Sequence, residues 1–542
     1  MSGNTYTPIF PKTVPCTGII VIDLAKDKSY KTWEAKEALM AATVIQGLVN
    51  RTSPEKIYFV NYPNEHFWNP PATDLQQIET EGFFPVKHTY AKLPMEKKYP
   101  ALSYLLSNYS SYIEGKVLYP SLSDTVCDGA VMAAVTVCGQ TDSIPVSSAI
   151  DEYIKGEGYN FALKEDTSVF TNNIDAFDWA KKNYFTDKTT KAFIGQHSYT
   201  AFGGKVHNQF PIMYDYFISH RAFVFCLNGN VEEEKCKLPE ILNTDCYPLA
   251  TPVIGLPVDE QAGLTTIENN GYFFSIANVQ NMSCTCAFPS DPARLHPQPE
   301  PNAVSVEDNT VYVAFYVTDG DSMGFTTVFH YNDMKNLPGA GKLPIGWSVN
   351  PTLLDLYPSL MEWTWKYAPG NYEMISDWND QNYGTLRKSN QEAWEIYCDK
   401  MQEYLGPMGL YTANDFEKDV YFARKVKPFY LIQGYTGTNG CPSEFKMVGD
   451  TVVSYITGVT QIKDAALIEY DIRNNADNTS GNQPVFLLVA VGDGRAAYGG
   501  GEITLKVKEV MDRLNSAPGE RKYVFLKPKD LAATWKQWNE GK

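Results

Sequence analysis

The chain of 542 residues contains no CxxC pair, no G-x-S-x-G elbow and no apolar run long enough to cross a bilayer, and each absence closes a class of function. The ten cysteines are scattered, at 16, 127, 138, 226, 236, 246, 284, 286, 398 and 441. A zinc ribbon or thioredoxin-type redox motif is therefore not expected. Cys284 and Cys286 stand too close for an easy mutual bridge. Cys226, Cys236 and Cys246 are candidates for pairing in a secreted protein, but buried free thiols are the preferred reading. Without an elbow, a Ser-His-Asp hydrolase lacks support. Only His330 lies beyond residue 300, so a histidine zinc site is not expected there. Basic charge is also scarce: 46 Lys and Arg stand against 63 Asp and Glu, a formal net charge of −17. Nucleic acid and anionic membrane surfaces are poor partners for such a chain. The segment GAGKL at 339–343 is not a P-loop, because Leu343 replaces the hydroxyl residue. The opening MSGNTYTPIFPK has no basic region followed by an apolar core. The expectation is an extracytoplasmic protein whose signal has been removed, or a cytoplasmic one if Met1 is the native start.

What is present is alternation. Residues 18–24, GIIVIDL, read as a buried strand. Ala41, Val44, Ile45 and Leu48 fall at helical spacing within WEAKEALMAATVIQGLVNR, and KIYFVN reads as the next strand. Strand, helix and strand in this order predict a parallel βαβ unit. We expect a Rossmann-like, doubly wound α/β domain over 1–150, then a second α/β subdomain and linker over 151–300. The proline-rich AFPSDPARLHPQPEPNAVSVED has linker composition. Beyond it, alternating apolar strands and amphipathic helices over 301–542 predict a (β/α) barrel-like catalytic domain, TIM-like, with an open doubly wound sheet as the alternative.

The strands of this last region finish in acids. VYVAFYVTDGD delivers Asp319 and Asp321, and NYEMISDWND delivers Ser376, Asp377 and Asp380. GLYTANDF delivers Asn414 and Asp415, LIQGY Gln433 and Tyr435, and VAVGDGR Asp493 and Arg495. ALIEYDIR, read as another strand, adds Glu469 and Asp471. In β/α folds the C-terminal strand ends share one face, and that face carries the site. A single acid there is as readily a turn or helix cap; five such strands favour function. Carboxylates without histidines suit glycoside hydrolysis, one acid protonating the leaving oxygen while another attacks or activates water. Asp321 and Asp377 are the expected working pair, with Asp319 orienting or binding a cation and Asp415 and Asp493 in reserve. Trp347, Trp378, Asp380, Gln433, Tyr435 and Arg495 are the expected substrate contacts, with Trp363 and Trp365 as helix core. No cofactor is called for. The alternatives are a Mg²⁺- or Ca²⁺-dependent hydrolase using Asp319 and Asp321, and a carbohydrate-binding or scaffold protein without turnover. An EF-hand fails, because position twelve of such a loop is His330.

Jointly, several segments resemble the GxGYxYP glycoside hydrolase family. VIQGLVNRTSPEKIYFVN, MYDYFISHRAFVFCLN, IGLPVDEQAGL and NVQNMSCTC match it in the N-terminal half. FYVTDGDSM and GKLPIGWSVNPTLLDLYPSLMEWTW match it in the C-terminal half. The naming motif itself is replaced by ISDWNDQNYGTLRKSN, in which only Tyr383 and Gly384 correspond. The resemblance implies a TIM-like domain behind an α/β region and a carbohydrate substrate. It marks Asp319, Asp321, Gly346, Trp347 and Pro351 as positions of interest. Asp259 and Glu260 also match, with a helix cap as their favoured role.

Overall fold

The computed structural model describes residues 10–26, 32–61, 84–123, 127–198, 213–249, 251–256, 260–275, 279–289, 298–318, 320, 323, 326, 342–367, 372–377, 403, 408–413, 427–434, 444–455, 464–492, 503–517 and 519–542. They fall into two compact units. The first holds Met1–Ser290 and Thr352–Leu360, and the second Asp291–Pro351, Met361–Asn382 and Gln391–Lys542. Among the described residues, no helix is long and apolar enough to cross a membrane.

The first unit is built from three parallel sheets. The predicted βαβ unit is there: β1 (Gly18–Asp23) and β2 (Glu55–Val60) pair in parallel across helix α1 (Trp33–Thr52), and β3 (His88–Tyr90) joins the other edge of β1. Thr32 starts α1 by accepting a hydrogen bond from the Ala35 amide at 3.2 Å. The expected apolar stripe understates this helix, since every residue from Ala35 to Asn50 is buried. A helix surrounded by protein must satisfy its polar side chains internally; Asn50 does so through both ends of its amide and Gln46 through its Nε2. Gly47 lets helix α2 (Tyr214–Ser219) cross, because a Cβ there would lie 2.5 Å from the Asp215 carbonyl oxygen. The second sheet has the order β5-β4-β6, from β4 (Gly115–Leu118), β5 (Ser143–Val146) and β6 (Leu163–Asp166), and so spans residue 150. The third, of order β10-β9-β7-β8, comprises β7 (Ile194–His197), β8 (Val224–Phe225), β9 (Pro252–Leu256) and β10 (Phe273–Ser275).

The second unit carries one nine-stranded sheet. Its strands are β11 (Thr310–Val317), β12 (Ile345–Val349), β13 (Tyr372–Asp377), β14 (Gly409–Ala413), β15 (Tyr430–Gly434), β16 (Phe445–Val448), β17 (Thr451–Tyr455), β18 (Val485–Val491) and β19 (Lys522–Leu526). The order is β16-β17-β15-β14-β13-β12-β11-β18, with β19 also paired to β11. All pairs are parallel except the β16–β17 hairpin. Laid flat, seven inter-strand gaps of about 4.8 Å would separate β16 from β18 by roughly 34 Å. Instead the rings of Phe445 on β16 and Phe486 on β18 lie 6.2 Å apart. The sheet therefore curls into a half-barrel. Its inner face gathers Tyr312, Ala314, Tyr316, Ile375, Ile432, Val452, Leu488 and Ala490 around Leu531 and Trp535 of the C-terminal helix α3 (Pro528–Glu540).

This differs from a closed eight-stranded ring. Among the described residues no ladder joins β17 to β18, and β19 shares one edge of β11 with β12 rather than extending β18. Two local expectations also change. The segment ALIEYDIR is not a strand. It lies in a helix, Ala465–Asp477, capped by Asp464 through the Leu467 amide at 2.9 Å. Ile468, Ile472 and Ala476, four residues apart, form its buried face. Conversely, IGWSV is a fully buried strand, β12, where the sequence suggested only a helix entry. The linker segment from Gln298 lies against the second unit. The Gln298 amide pairs with both backbone groups of Met374, and Asn302 and Val304 bond to Asp530 and Thr534 of α3.

Candidate functional site

Parallel strands bring their C-terminal ends to one edge, and the registers show which ends are neighbours. Val317 of β11 lies between Trp347 of β12 and Val491 of β18. Val349 pairs with Ser376, Asp377 with Tyr411, Ala413 with Gly434, and Gln433 with Tyr455. The ends of β11, β13, β14, β15 and β18, which precede or hold Asp319, Asp321, Asp377, Asp415, Gln433 and Asp493, thus share one edge. Asp319, Asp321, Trp378, Asp380, Asp415, Tyr435, Asp493 and Arg495 lie outside the described residues. Asp377 closes β13 and Gln433 is the penultimate residue of β15. Glu469 and Asp471 are not at this edge, because their segment is helical. Glu469 pairs with Arg473 at 2.9 Å and with Arg513 at 3.6 Å.

The Asp-Gly-Asp turn has a structural reason for its glycine. A Cβ on Gly320 would sit 2.2 Å from the carbonyl carbon and oxygen of Ser348. No side chain fits, so the chain leaving β11 presses directly on β12. The Gly320 amide donates to Ser348 Oγ at 2.8 Å, and Thr326 Oγ1 donates to the Gly320 carbonyl at 3.3 Å. Ser348 is missing from the sequence-derived set, because nothing in IGWSV marks it. Two further side chains at this edge are described. Trp347 is fully buried, with its ring edge-to-face to Tyr372 at 5.6 Å, so it packs in the interior and offers no open platform for a sugar. Ser376 is 3% exposed and its hydroxyl has no hydrogen-bond partner. A buried, unpartnered hydroxyl beside a strand end is uncommon in a folded protein.

The opposite, N-terminal edge holds a second polar cluster. Glu373 is fully buried in β13. It accepts from Tyr430 Oη at 2.6 Å and from the Lys529 backbone amide, at the start of α3, at 2.9 Å. Burial raises its carboxyl to about 7, opposed by Lys529 and the Tyr430 hydrogen bond. Burial likewise lowers Lys529, with Glu373 opposing. Two glycines make room: a Cβ on Gly346 would meet Pro528 and Ile375 at 2.6 Å, and one on Gly409 would meet the Tyr430 ring at 2.3 Å. A raised carboxylate often marks a catalytic group. Here both oxygens bond within the protein, and the cluster bolts β13, β15 and α3 together. An acid inside the apolar run YEMIS was the sequence signal for it.

In the first unit, segments around Gln46, Asp215 and Asn281 knit into one buried network. Gln46 Nε2 donates to Asn281 Oδ1 at 2.7 Å, and Asn281 bonds to both the amide and carbonyl of Phe59 at 2.9 Å. Asn50 pairs with both backbone groups of Ile57 and donates to Ser283 Oγ at 2.8 Å. The Ser283 amide donates to Asp215 Oδ2 at 2.8 Å, and burial lifts Asp215 to about 6. Thr352–Leu360 belongs to the same unit: Asp355 accepts from the Phe10 amide, and the Leu356 carbonyl from Thr285. Glu260 opens the helix Glu260–Asn269, where an acid complements the helix dipole; Asp259 lies outside the described residues. Among the described residues, no group of three or more His, Cys, Asp or Glu is placed to hold a metal ion.

Residues 309–532 match the family model described as "GxGYxYP putative glycoside hydrolase C-terminal domain". Among solved structures, the chain is similar to one described as a "putative hydrolase from Bacteroides thetaiotaomicron VPI-5482", with a TM-score of 0.74 and 18% identity over 97% of this chain and 96% of that one. That likeness is one of fold. A 4-alpha-glucanotransferase from Thermococcus litoralis aligns over 41% of this chain and 38% of its own, at 10% identity and a TM-score of only 0.29. No curated protein matches the sequence. Over residues 309–532, the chain is similar to the GxGYxYP C-terminal domain.

Proposed function

We propose that the chain is a glycoside hydrolase that cleaves an oligo- or polysaccharide at the C-terminal edge of the curled sheet. The sheet in this reading is an incompletely closed, TIM-like β/α barrel. The observation that carries the proposal is topological: the strand ends leading to Asp321, Asp377, Asp415 and Asp493 all reach one edge of one parallel sheet. The family model supports the reaction class. Asp321 and Asp377 follow strands separated only by β12, so their strand axes stand about 10 Å apart. Strand axes at that spacing are compatible with the carboxyl separations used for acid and base, or acid and nucleophile, across a glycosidic bond. One protonates the leaving oxygen and the other attacks the anomeric carbon or activates water. Asp319 orients the pair or binds a cation.

The test is a panel of oligosaccharides assayed with wild type, Asp321→Asn and Asp377→Asn. Each variant is expected to keep the wild-type melting temperature and lose at least about a thousandfold in kcat/KM. Full activity in Asp321→Asn would remove the assignment. The replaced naming motif around Tyr383 and Gly384 favours one second reading, a carbohydrate-binding protein without turnover. Calorimetric binding with no released sugar would select it. Loss of activity with a chelator, restored by Mg²⁺ or Ca²⁺, would instead make the Asp319/Asp321 pair a metal site.

A further inference from the structure

We propose that Cys16 and Cys284 are a peroxide-sensitive dithiol, whose oxidation to an intramolecular disulfide staples the lead-in of β1 to the short helix Met282–Thr285. The two segments already run side by side. Thr13 Oγ1 donates to the Ser283 carbonyl at 2.8 Å, and the Cys16 amide donates to the Ala287 carbonyl at 3.0 Å. Between these two contacts, the Cys16 thiol donates to the Gly18 carbonyl at 3.4 Å, with the Cys284 thiol as its electrostatic neighbour. The third sulfur nearby, Cys286, faces Thr13 Oγ1 at 4.0 Å. Cys284 and Cys286 stand two apart on one helical turn, an unfavourable spacing for a bridge, so Cys16 and Cys284 are the natural pair.

The surroundings distinguish the two thiols. Lys56 is fully buried. Its ammonium donates to the Asn50 carbonyl at 2.5 Å, and the acidic groups it faces are the thiols of Cys16, Cys284 and Cys286. A buried cation whose acidic neighbours are sulfurs favours a thiolate among them. Cys16, 5% exposed, is the accessible member, and Cys284 is sealed. The neighbouring Cys284 thiol draws the Cys16 thiol below its usual range, whereas burial pushes Cys284 well above it. One sulfur is thus prepared as nucleophile and the other as its neutral partner. Hydrogen peroxide is small enough to reach a nearly buried sulfur. The Cys16 thiolate attacks one peroxide oxygen, the O–O bond breaks, and the departing hydroxide takes a proton to become water. Cys284 then displaces the sulfenic hydroxyl, giving up its thiol proton as the S–S bond forms and a second water leaves. Two thiols lose two electrons, and one peroxide is reduced to two waters.

The experiment treats the native full chain with stepwise hydrogen peroxide, blocks remaining thiols with N-ethylmaleimide under denaturation, and maps peptides without reduction. The expected result is a mass loss of about 2 Da, a linked Cys16–Cys284 peptide reversed by dithiothreitol, and a melting temperature raised by roughly 5 °C. In Cys284→Ser, a dimedone adduct should accumulate on Cys16. The proposal is overturned if both thiols remain labelled after the exposed Cys236 has been oxidised, or if Cys16 is found bridged to Cys286. Should the serine variant not fold, the wild-type peptide map decides by itself.

Discussion

The two units treat polar residues in opposite ways. In the first, Gln46, Asn50, Asp215, Asn281 and Ser283 turn inward and bond among themselves and to the edge of β2, with Gln46 Oε1 and Asp215 Oδ1 left without a partner. In the second, the chain leaves β11 at Gly320, which packs against the Ser348 backbone, on the way to the strand-end acids. The difference teaches how to read a motif. A polar residue whose donors and acceptors are all matched inside the protein belongs to the fold. One that the chain delivers to a parallel strand end is placed to meet a ligand.

The harshest challenge to this contrast is Asn281→Ala. Asn281 makes three hydrogen bonds, to Gln46 and to both backbone groups of Phe59, and holds a left-handed backbone at φ 64°. The substitution strands buried partners and forces alanine into a conformation that asparagine tolerates better. The expected cost is about 4 kcal/mol, read as early urea unfolding of the first unit by hydrogen exchange. A loss below about 1 kcal/mol would mean the network is not what holds that unit. Gly320→Ala probes the second unit. Its methyl group would collide with the Ser348 backbone and pry β11 from β12. The expected outcome is a loss of about 3 kcal/mol and of hydrolysis together, whereas Asp321→Asn should remove hydrolysis alone.

The units should also part company with pH. Glu373 is fully buried and raised to about 7, against 4.5 for a free glutamate. A raised carboxyl binds its proton more tightly in the folded state. Its contribution is therefore complete below pH 4.5 and is lost as pH climbs to about 7, on the order of 3 kcal/mol. His197 in the first unit is 1% exposed, with neither ring nitrogen hydrogen-bonded, and burial lowers it to about 4 from 6.5. Its contribution is complete above pH 6.5 and is lost as pH falls toward 4, by a similar amount. Subtracting the stability of Glu373→Gln or His197→Phe from that of wild type at each pH isolates the group. The two difference curves should slope in opposite directions, and parallel slopes would refute the assignment.

How much of this was legible beforehand follows the range of the interactions. The β1–α1–β2 unit rests on local periodicity, and it was readable. The helix at Ala465–Asp477 was mistaken for a strand because Ile468, Glu469, Tyr470 and Asp471 alternate locally. Its Asp464 cap and the four-residue spacing of Ile468, Ile472 and Ala476 decide otherwise. Strand β12 hid behind Pro344 and Gly346, yet that glycine is there to admit Pro528. The Gln46–Asn281 and Glu373–Lys529 contacts join distant segments, so no local pattern announces them. The convergence of strand ends could be inferred from topology alone, because parallel pairing fixes it whatever the side chains do.

The smallest effect sharpens the comparison most, because it sets one buried hydroxyl against another. In the first unit, Thr136 Oγ1 donates to the Val224 carbonyl at 2.9 Å and accepts from the Val224 amide at 2.8 Å. Thr136→Val leaves both groups stranded and should cost about 2 kcal/mol. In the second unit, Ser376 Oγ is equally buried and bonds to nothing. Ser376→Ala removes a hydroxyl that has already lost its water, so stability should hold or rise by up to about 1 kcal/mol. Ser376 alternates with Ile375 of the inner cluster and so faces the other side of the sheet, and the same variant should leave oligosaccharide binding unchanged. Binding weakened about tenfold, the value of one neutral hydrogen bond in a closed site, would instead place the Ser376 hydroxyl against the sugar.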